Sequence, residues 1–251
     1  MSLPKLRPGE PIAYGSLGIQ RRLEVIRRRV ALEGRSLLDV GCGNGAQTLA
    51  FLEHVGWCEA IDVDPGLLAL FQDKVLEGGL SHCSLHQMDA QALDFPDQVF
   101  DVITAIEVLE HVPDHHRTLD EMFRVLKPGG WLALSVPNRW WPLETHGAAL
   151  PLLPWNRVPF FSWLPRALHD RYAHARIYTG GQVKGLVAEH GFQVRHSEYL
   201  MPPLDKLGHQ GLRRLLRRFL FPLEKTPLGI FGVSVFVFAQ RPLGQEAHAH
   251  D

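Results

Sequence analysis

Apolar residues recur along this chain in two alternating rhythms. In "SLLDVGCGNG", "WCEAIDVD", "CSLHQMD" and "VFDVITAI" the apolar and β-branched residues cluster tightly and are then stopped by glycine or an acid. These read as strands, the first spanning 36–40, covered on both faces. Between them the spacing widens to threes and fours. Residues 17–33 set Leu17, Leu23, Ile26, Val30 and Ala31 near one side with arginines around them, which predicts an amphipathic helix. A second helix is expected near 45–55. "PGLLALFQDKVLEGG" opens on Pro65 and closes on Gly78 and Gly79, a start and stop that frame a third. "PDHHRTLDEMFRVL" is a fourth, halted by "KPGG", and "WLALSVP" is a fifth strand.

Strand and helix in turn predict an α/β, doubly wound sheet with helices on both faces. Residues 138–178 break the rhythm. They are rich in proline and contain Trp140, Trp141, Trp155 and Trp163, so they read as an inserted lid. Regular structure resumes with a helix over "TGGQVKGLVAEHG", where Thr179 suits an N-cap and Gly191 a left-handed stop. "FQVRHSEYL" and "FGVSVFVFAQ" are a sixth and a seventh strand. The organisation is then a helical extension (1–35), a core (36–137), the lid (138–178), a C-terminal half completing the sheet (179–240) and a polar, flexible tail (241–251). Within the C-terminal half, 211–221 place Leu212, Leu215, Leu216, Phe219 and Leu220 on one helical side and Arg213, Arg214, Arg217 and Arg218 on the other. Such a helix either packs on the core with its arginines in water or lies on an anionic membrane surface.

Composition narrows the classes. The 251 residues carry a formal net charge of −1, with 45% hydrophobic and 21% charged residues, which fits a globular protein and gives no reason to expect a nucleic-acid partner. Cys42, Cys58 and Cys83 lack metal-ligand spacing and read as reduced thiols of a cytoplasmic protein. The start lacks the apolar run of a leader, and "GIFGVSVFVFA" falls short of the roughly 20 residues that span a bilayer.

The candidate chemistry begins at Gly41, Gly43 and Gly45, directly after the first strand. Glycines there bare backbone amides at a helix start, which favours an anion. The third glycine comes one residue earlier than a dinucleotide fingerprint requires. Asp39 would repel a pyrophosphate but attract an ammonium or sulfonium. A ligand with both a carboxylate and such cations fits, and S-adenosylmethionine is one.

Here the chain resembles the class I S-adenosylmethionine-dependent methyltransferases, in "LLDVGCGNG", "AIDVDP", "MDAQALDFPDQVFDVI", "IEVLEHVPD" and "EMFRVLKPGGWLALSVPN". The match is close over 36–137 and loose over 174–240. It implies a Rossmann-like seven-strand sheet, parallel except for an antiparallel last strand. It also implies a cofactor site of Asp39, Gly41, Cys42, Gly43, Asn44 and Gly45, with Asp62 on the ribose hydroxyls and Val63 against adenine. Asp89 and the Ala90 amide would meet the adenine ring, and Ile106 would line the site. In "EVLEHVPD" and in having an insert after the fifth strand, the chain is similar to the ubiquinone-biosynthesis O-methyltransferases. The insert's composition and the basic helix depart from them.

Methyl transfer from a sulfonium is an in-line displacement, so the protein positions the reactants and removes a proton from a hydroxyl acceptor. Glu107, Glu110 and His111 fall at i, i+3 and i+4 and would share a face if helical. His111 is the candidate base. With His174, or second His146, the trio could instead hold a divalent ion. The expected reaction is O-methylation of a small hydrophobic or aromatic hydroxyl compound, by a cytoplasmic enzyme with peripheral membrane contact. Alternatives are C- or N-methylation of a sugar or lipid, a nicotinamide-dependent oxidoreductase, and a non-enzymatic membrane-surface or partner-binding module.

Overall fold

The computed structural model describes residues 16–143, 159–205 and 207–243. Seven strands form one sheet: β1 (Ser36–Val40), β2 (Trp57–Asp62), β3 (Cys83–Gln87), β4 (Phe100–Ile106), β5 (Leu126–Pro137), β6 (Gln193–Leu200) and β7 (Ser234–Gln240). Their order is β3-β2-β1-β4-β5-β7-β6. β7 runs antiparallel to both of its neighbours, and the pairings among β1 to β5 are parallel. The Rossmann-like expectation therefore holds, with the last strand wedged between β5 and β6.

Helices α1 (Ser16–Arg27), α2 (Thr48–Leu52) and α3 (Pro65–Glu77) bury Ile26, Phe51 and Phe71 against one face of the sheet. The other face holds α4 (His115–Val125) and α6 (Gly180–Glu189), through Leu119, Met122, Val183 and Val187. A short helix, α5 (Arg166–Tyr172), lies between β5 and α6. The expected punctuation is present. Pro65 is the first residue of α3, whose N-cap Asp64 accepts from the Gly66 and Leu67 amides. Thr179 and Gln182 form a reciprocal cap on α6, and Gly191 follows it at φ +84°.

Several expectations are corrected. α1 ends at Arg27, and a turn closed by Val30 N–H to the Ile26 carbonyl redirects the chain. Val30 and Leu32 are buried, while Ala31 points out. α2 is only five residues long, because residues 41–47 are spent on the glycine turn. "KPGG" lies inside the span of β5, whose first residue, Leu126, also caps α4.

The start of the segment expected to be a lid is fixed by Asn138. Its buried side-chain amide donates to the Ile230 and Gly232 carbonyls, both at 2.7 Å. Beyond it, Phe160 and Trp163 pack as a tilted pair with ring centroids 4.8 Å apart, and Trp163 Nε1 donates to the Trp140 carbonyl. Trp155, His146 and tail residues 244–251 lie outside the described residues.

The basic helix forms as α7 (Gln210–Leu223), but its rotation is not the expected one. None of its residues is buried. Arg213 and Arg217 turn inward and donate to the Asp205 and Pro203 carbonyls, and Arg217 pairs with the Asp205 carboxylate at 2.6 Å. Leu212, Leu215 and Phe219 turn outward. Polar anchors, rather than an apolar seat, set its orientation. Among the described residues no helix is long and apolar enough to cross a membrane.

Candidate active site

The C-terminal ends of β1, β2 and β4 meet at the glycine turn, the edge where ligands of such sheets collect. Gly41, Gly43 and Gly45 have φ of +70°, +53° and +77°, which side chains rarely adopt. Space matters as well. A Cβ on Gly41 would collide with the Val108 side chain, and one on Gly45 with the Phe71 ring. The turn is thus clamped between α3 and the loop after β4.

The amides of this turn are not bare, contrary to expectation. Those of Gly41 and Cys42 donate to the Ile61 carbonyl at 2.8 and 3.0 Å, and that of Gly45 donates to the Cys42 carbonyl. The Gly43 amide donates to Asp62 Oδ2 at 2.8 Å. The glycines allow the chain to fold back on β2; they do not present a row of free donors. The Asn44 carbonyl accepts from Lys74 Nζ at 2.7 Å, tying the turn to α3 a second time.

Asp39 is buried and sits between two hydroxyls. Thr48 Oγ1 and Thr104 Oγ1 each donate to it at 2.6 Å. Thr104 is its register partner on β4. Burial pushes this carboxyl up to about 6, against the two hydroxyl bonds, and the nearby Asp62 adds to the rise. Cys42 is buried, and burial pushes its thiol far above the ordinary range, which disfavours the thiolate.

Asp62 ends β2 with both oxygens oriented, Oδ2 by Gly43 N–H and Oδ1 by Asp64 N–H at 2.9 Å. Val63 beside it is 64% exposed. Beyond β3, Asp89 is exposed and accepts from the Gln91 amide at 2.9 Å, whereas Ala90 is buried. Ile106, at the end of β4, is half-buried.

The segment after β4 is not helical, so Glu107, Glu110 and His111 do not share a helical face. Glu107 sits at φ +57° and breaks the strand into a turn. Its Oε1 accepts from Ser135 Oγ at 2.6 Å and lies 3.9 Å from Arg22 Nη2. Glu110 is buried, and burial first, then the charge of Glu107, pushes its carboxyl well above the usual range. His111 Nε2 lies 3.9 Å from Glu110 Oε1, with the imidazole partly exposed. His174 is exposed, and among the described residues no group of three His, Cys, Asp or Glu side chains could hold a metal ion. The segment that leads from the insert into α6 fixes this loop. Arg176 donates to the Val112 and Pro113 carbonyls, the latter at 2.7 Å, and Tyr178 Oη donates to the Leu109 carbonyl.

Thr48, Thr104, Ser135 and Arg22 were missed by sequence reasoning. Their partners lie 9 to 65 residues away for the threonines and 28 for Ser135, and no local spacing marks them. Only the parallel register of β1 and β4 sets Thr104 beside Asp39.

A methyltransferase domain model matches residues 18–197, most of the chain and every part of the site just described. The chain belongs to the methyltransferase domain family. Curated relatives include a ubiquinone biosynthesis O-methyltransferase of Pseudomonas fluorescens (strain SBW25), 41% identical over 120 residues, or 47% of this chain and 51% of the relative. One from Pseudomonas entomophila (strain L48) is 39% identical over 151 residues, covering 59% and 62%. The chain thus spans about half to three fifths of the length of these relatives. A SAM-dependent methyltransferase from Mesorhizobium loti shares the fold at a TM-score of 0.62, with 18% identity and coverage of 87% and 96%. The cyclase SpnF shares it at 0.63, with 21% identity and coverage of 94% and 85%.

The residues present in this methyltransferase domain fit S-adenosylmethionine. Asp62 and Asp89 are acceptors at the ends of neighbouring strands, suited to hydroxyls and an amine. The exposed Val63 offers an apolar surface between them. The buried carboxyl of Asp39 places negative potential under the turn.

Proposed function

We propose that the chain transfers a methyl group from S-adenosylmethionine to a hydroxyl oxygen of a small hydrophobic or aromatic compound, which it meets at an anionic membrane surface in the cytoplasm. The cofactor supplies, when bound, a methyl on a cationic sulfur that needs no further activation. Asp62 would hold the ribose and Asp89 with Ala90 the adenine, while Asp39, at depth, favours the donor's positive groups. His111 would take the acceptor's proton.

The observation that carries this reading is the packing of Val108 on Gly41, which brings the loop holding His111 against the turn expected to hold the donor. The O-methyltransferase names of the relatives support oxygen as the methylated atom. Nothing comparable favours a nicotinamide cofactor, for which the buried Asp39 is unsuited.

A labelled-methyl assay on extract from the source organism, with mass spectrometry of the product, is expected to give one O-methylated apolar compound. His111→Ala should lower turnover about 100- to 10,000-fold with cofactor affinity unchanged. Unchanged turnover would remove His111 as the base, and a labelled nitrogen or carbon would remove the hydroxyl acceptor.

A further inference from the structure

A helix that carries leucines on one side and arginines on the other is expected to bury the leucines. α7 instead packs through a flank. Its inward side carries Leu216 and Leu220 together with Arg213 and Arg217, all only half-buried. Asp205 takes both arginines, and beside it the Asp205 carboxylate also accepts from the Gly18 amide of α1 at 3.0 Å. At the other end, Glu224 pairs with Arg21 of α1 and accepts from the Met201 amide at 2.6 Å. The helix is therefore pinned at both ends by polar contacts and held in this rotation.

The outward side is mixed in one particular way. Leu212, Leu215 and Phe219 form an apolar stripe, with Phe219 65% exposed. Arg214 and Arg218 run along its edge, both exposed. The 3-10 turn that follows, Pro227–Phe231, continues the apolar surface with Leu228, Ile230 and Phe231, which are 37–52% exposed. The two acids nearest in sequence, Asp205 and Glu224, are already engaged by Arg217 and Arg21. An apolar stripe edged by exposed cations, which among the described residues show no ion pair, is complementary to a bilayer whose headgroups are negative: the stripe enters the acyl boundary and the guanidinium groups meet phosphates.

We infer that the outward face of α7, together with the turn 227–231, is the surface by which this protein docks on an anionic phospholipid membrane. This deepens the reading above, in which the acceptor is met at a membrane. The same chemistry explains why the arginines divide into two pairs: Arg213 and Arg217 hold the helix in place, and Arg214 and Arg218 hold the lipid.

Flotation of the whole protein with vesicles tests this without any methyl transfer. Protein should float with vesicles of phosphatidylcholine mixed with phosphatidylglycerol, stay behind with phosphatidylcholine alone, and release as salt is raised. Leu215→Asp with Phe219→Asp, and separately Arg214→Glu with Arg218→Glu, should each cut the bound fraction at least tenfold. Because all four positions are exposed, melting temperature and calorimetric cofactor affinity should not change. The inference is overturned if the unmodified protein ignores anionic vesicles or if both double variants float like it. It is equally overturned if light scattering shows a dimer that the Leu215 and Phe219 changes split while vesicles bind nothing, since a second copy would then cover the face. Loss of cofactor binding in the unmodified protein would instead strike the methyltransferase reading and leave the flotation result standing.

Discussion

Helices α3 and α7 are both amphipathic in sequence, yet they use their apolar sides in opposite ways. α3 buries Leu67, Leu68, Phe71 and Val75 at the spacing its sequence advertises. α7 buries nothing. The sheet lies under α3 along its length, so apolar contact decides its rotation, and the turn at Gly45 needs the Phe71 ring where it is. α7 meets loops and α1, whose Arg21 guanidinium lies over the Phe221 ring, and there two carboxylates, Asp205 and Glu224, capture arginines and decide the rotation instead. A periodic pattern predicts that a helix forms. Which way the helix faces depends on what the rest of the chain offers it.

Two phenylalanines place that contrast on one scale. Phe71→Ala should cost about 3–5 kcal/mol in urea unfolding, because the ring is fully buried and also backs the glycine turn. A cost under about 1 kcal/mol would mean that the clamp on the turn is loose. The middle test is electrostatic and belongs to the core alone. The Asp39 carboxyl, at about 6 when folded, lies above the ordinary value of 3.8. The folded state thus holds this proton more tightly than the unfolded chain does. Its contribution to stability is full below about pH 4 and is lost as pH rises through about 6, a change on the order of 3 kcal/mol. Asp39→Asn cannot titrate, so the difference in unfolding free energy between the two proteins should drift by that amount across this window. A constant difference would show that the carboxyl is not raised. The smallest effect is expected at the other phenylalanine: Phe219→Ala should shift stability by no more than about 0.5 kcal/mol. A cost near that of Phe71→Ala would show that α7 buries its outward face after all.

Much of the core was legible because its signals are local. Pro65, Gly78 and Gly191 mark an element's end through their backbones and Thr179 through its side-chain cap, and all four marks hold. The seven strands were legible for the same reason. The site was legible only in outline. Asp62 and the glycines stand where their motif suggested, but the motif does not tell that the Gly43 amide is already taken by Asp62. Nor does any propensity announce a glutamate at positive φ: Glu107 adopts it because Ser135 and Arg22 hold its carboxylate. That one residue turns a helical-looking "EVLEHV" into a loop and scatters the three side chains expected on one face. The partners that fix Asp39 and Glu107 come from strands and helices distant in sequence, and only the assembled sheet brings them together.

The wedged position of β7 bears on how this chain is made. β6 hydrogen-bonds to β7 and to no other strand, yet β7 is the later of the two to leave the ribosome. Until residues 234–240 emerge, the nascent sheet ends at β5 with an open edge, and β6 has nowhere to dock. Asn138, which pins the end of β5 to the Ile230 and Gly232 carbonyls just ahead of β7, must wait as well. The base of the insert is therefore among the last parts to be secured, and until β7 arrives the rings of Trp140, Phe160 and Trp163 there lack the anchor that Asn138 provides.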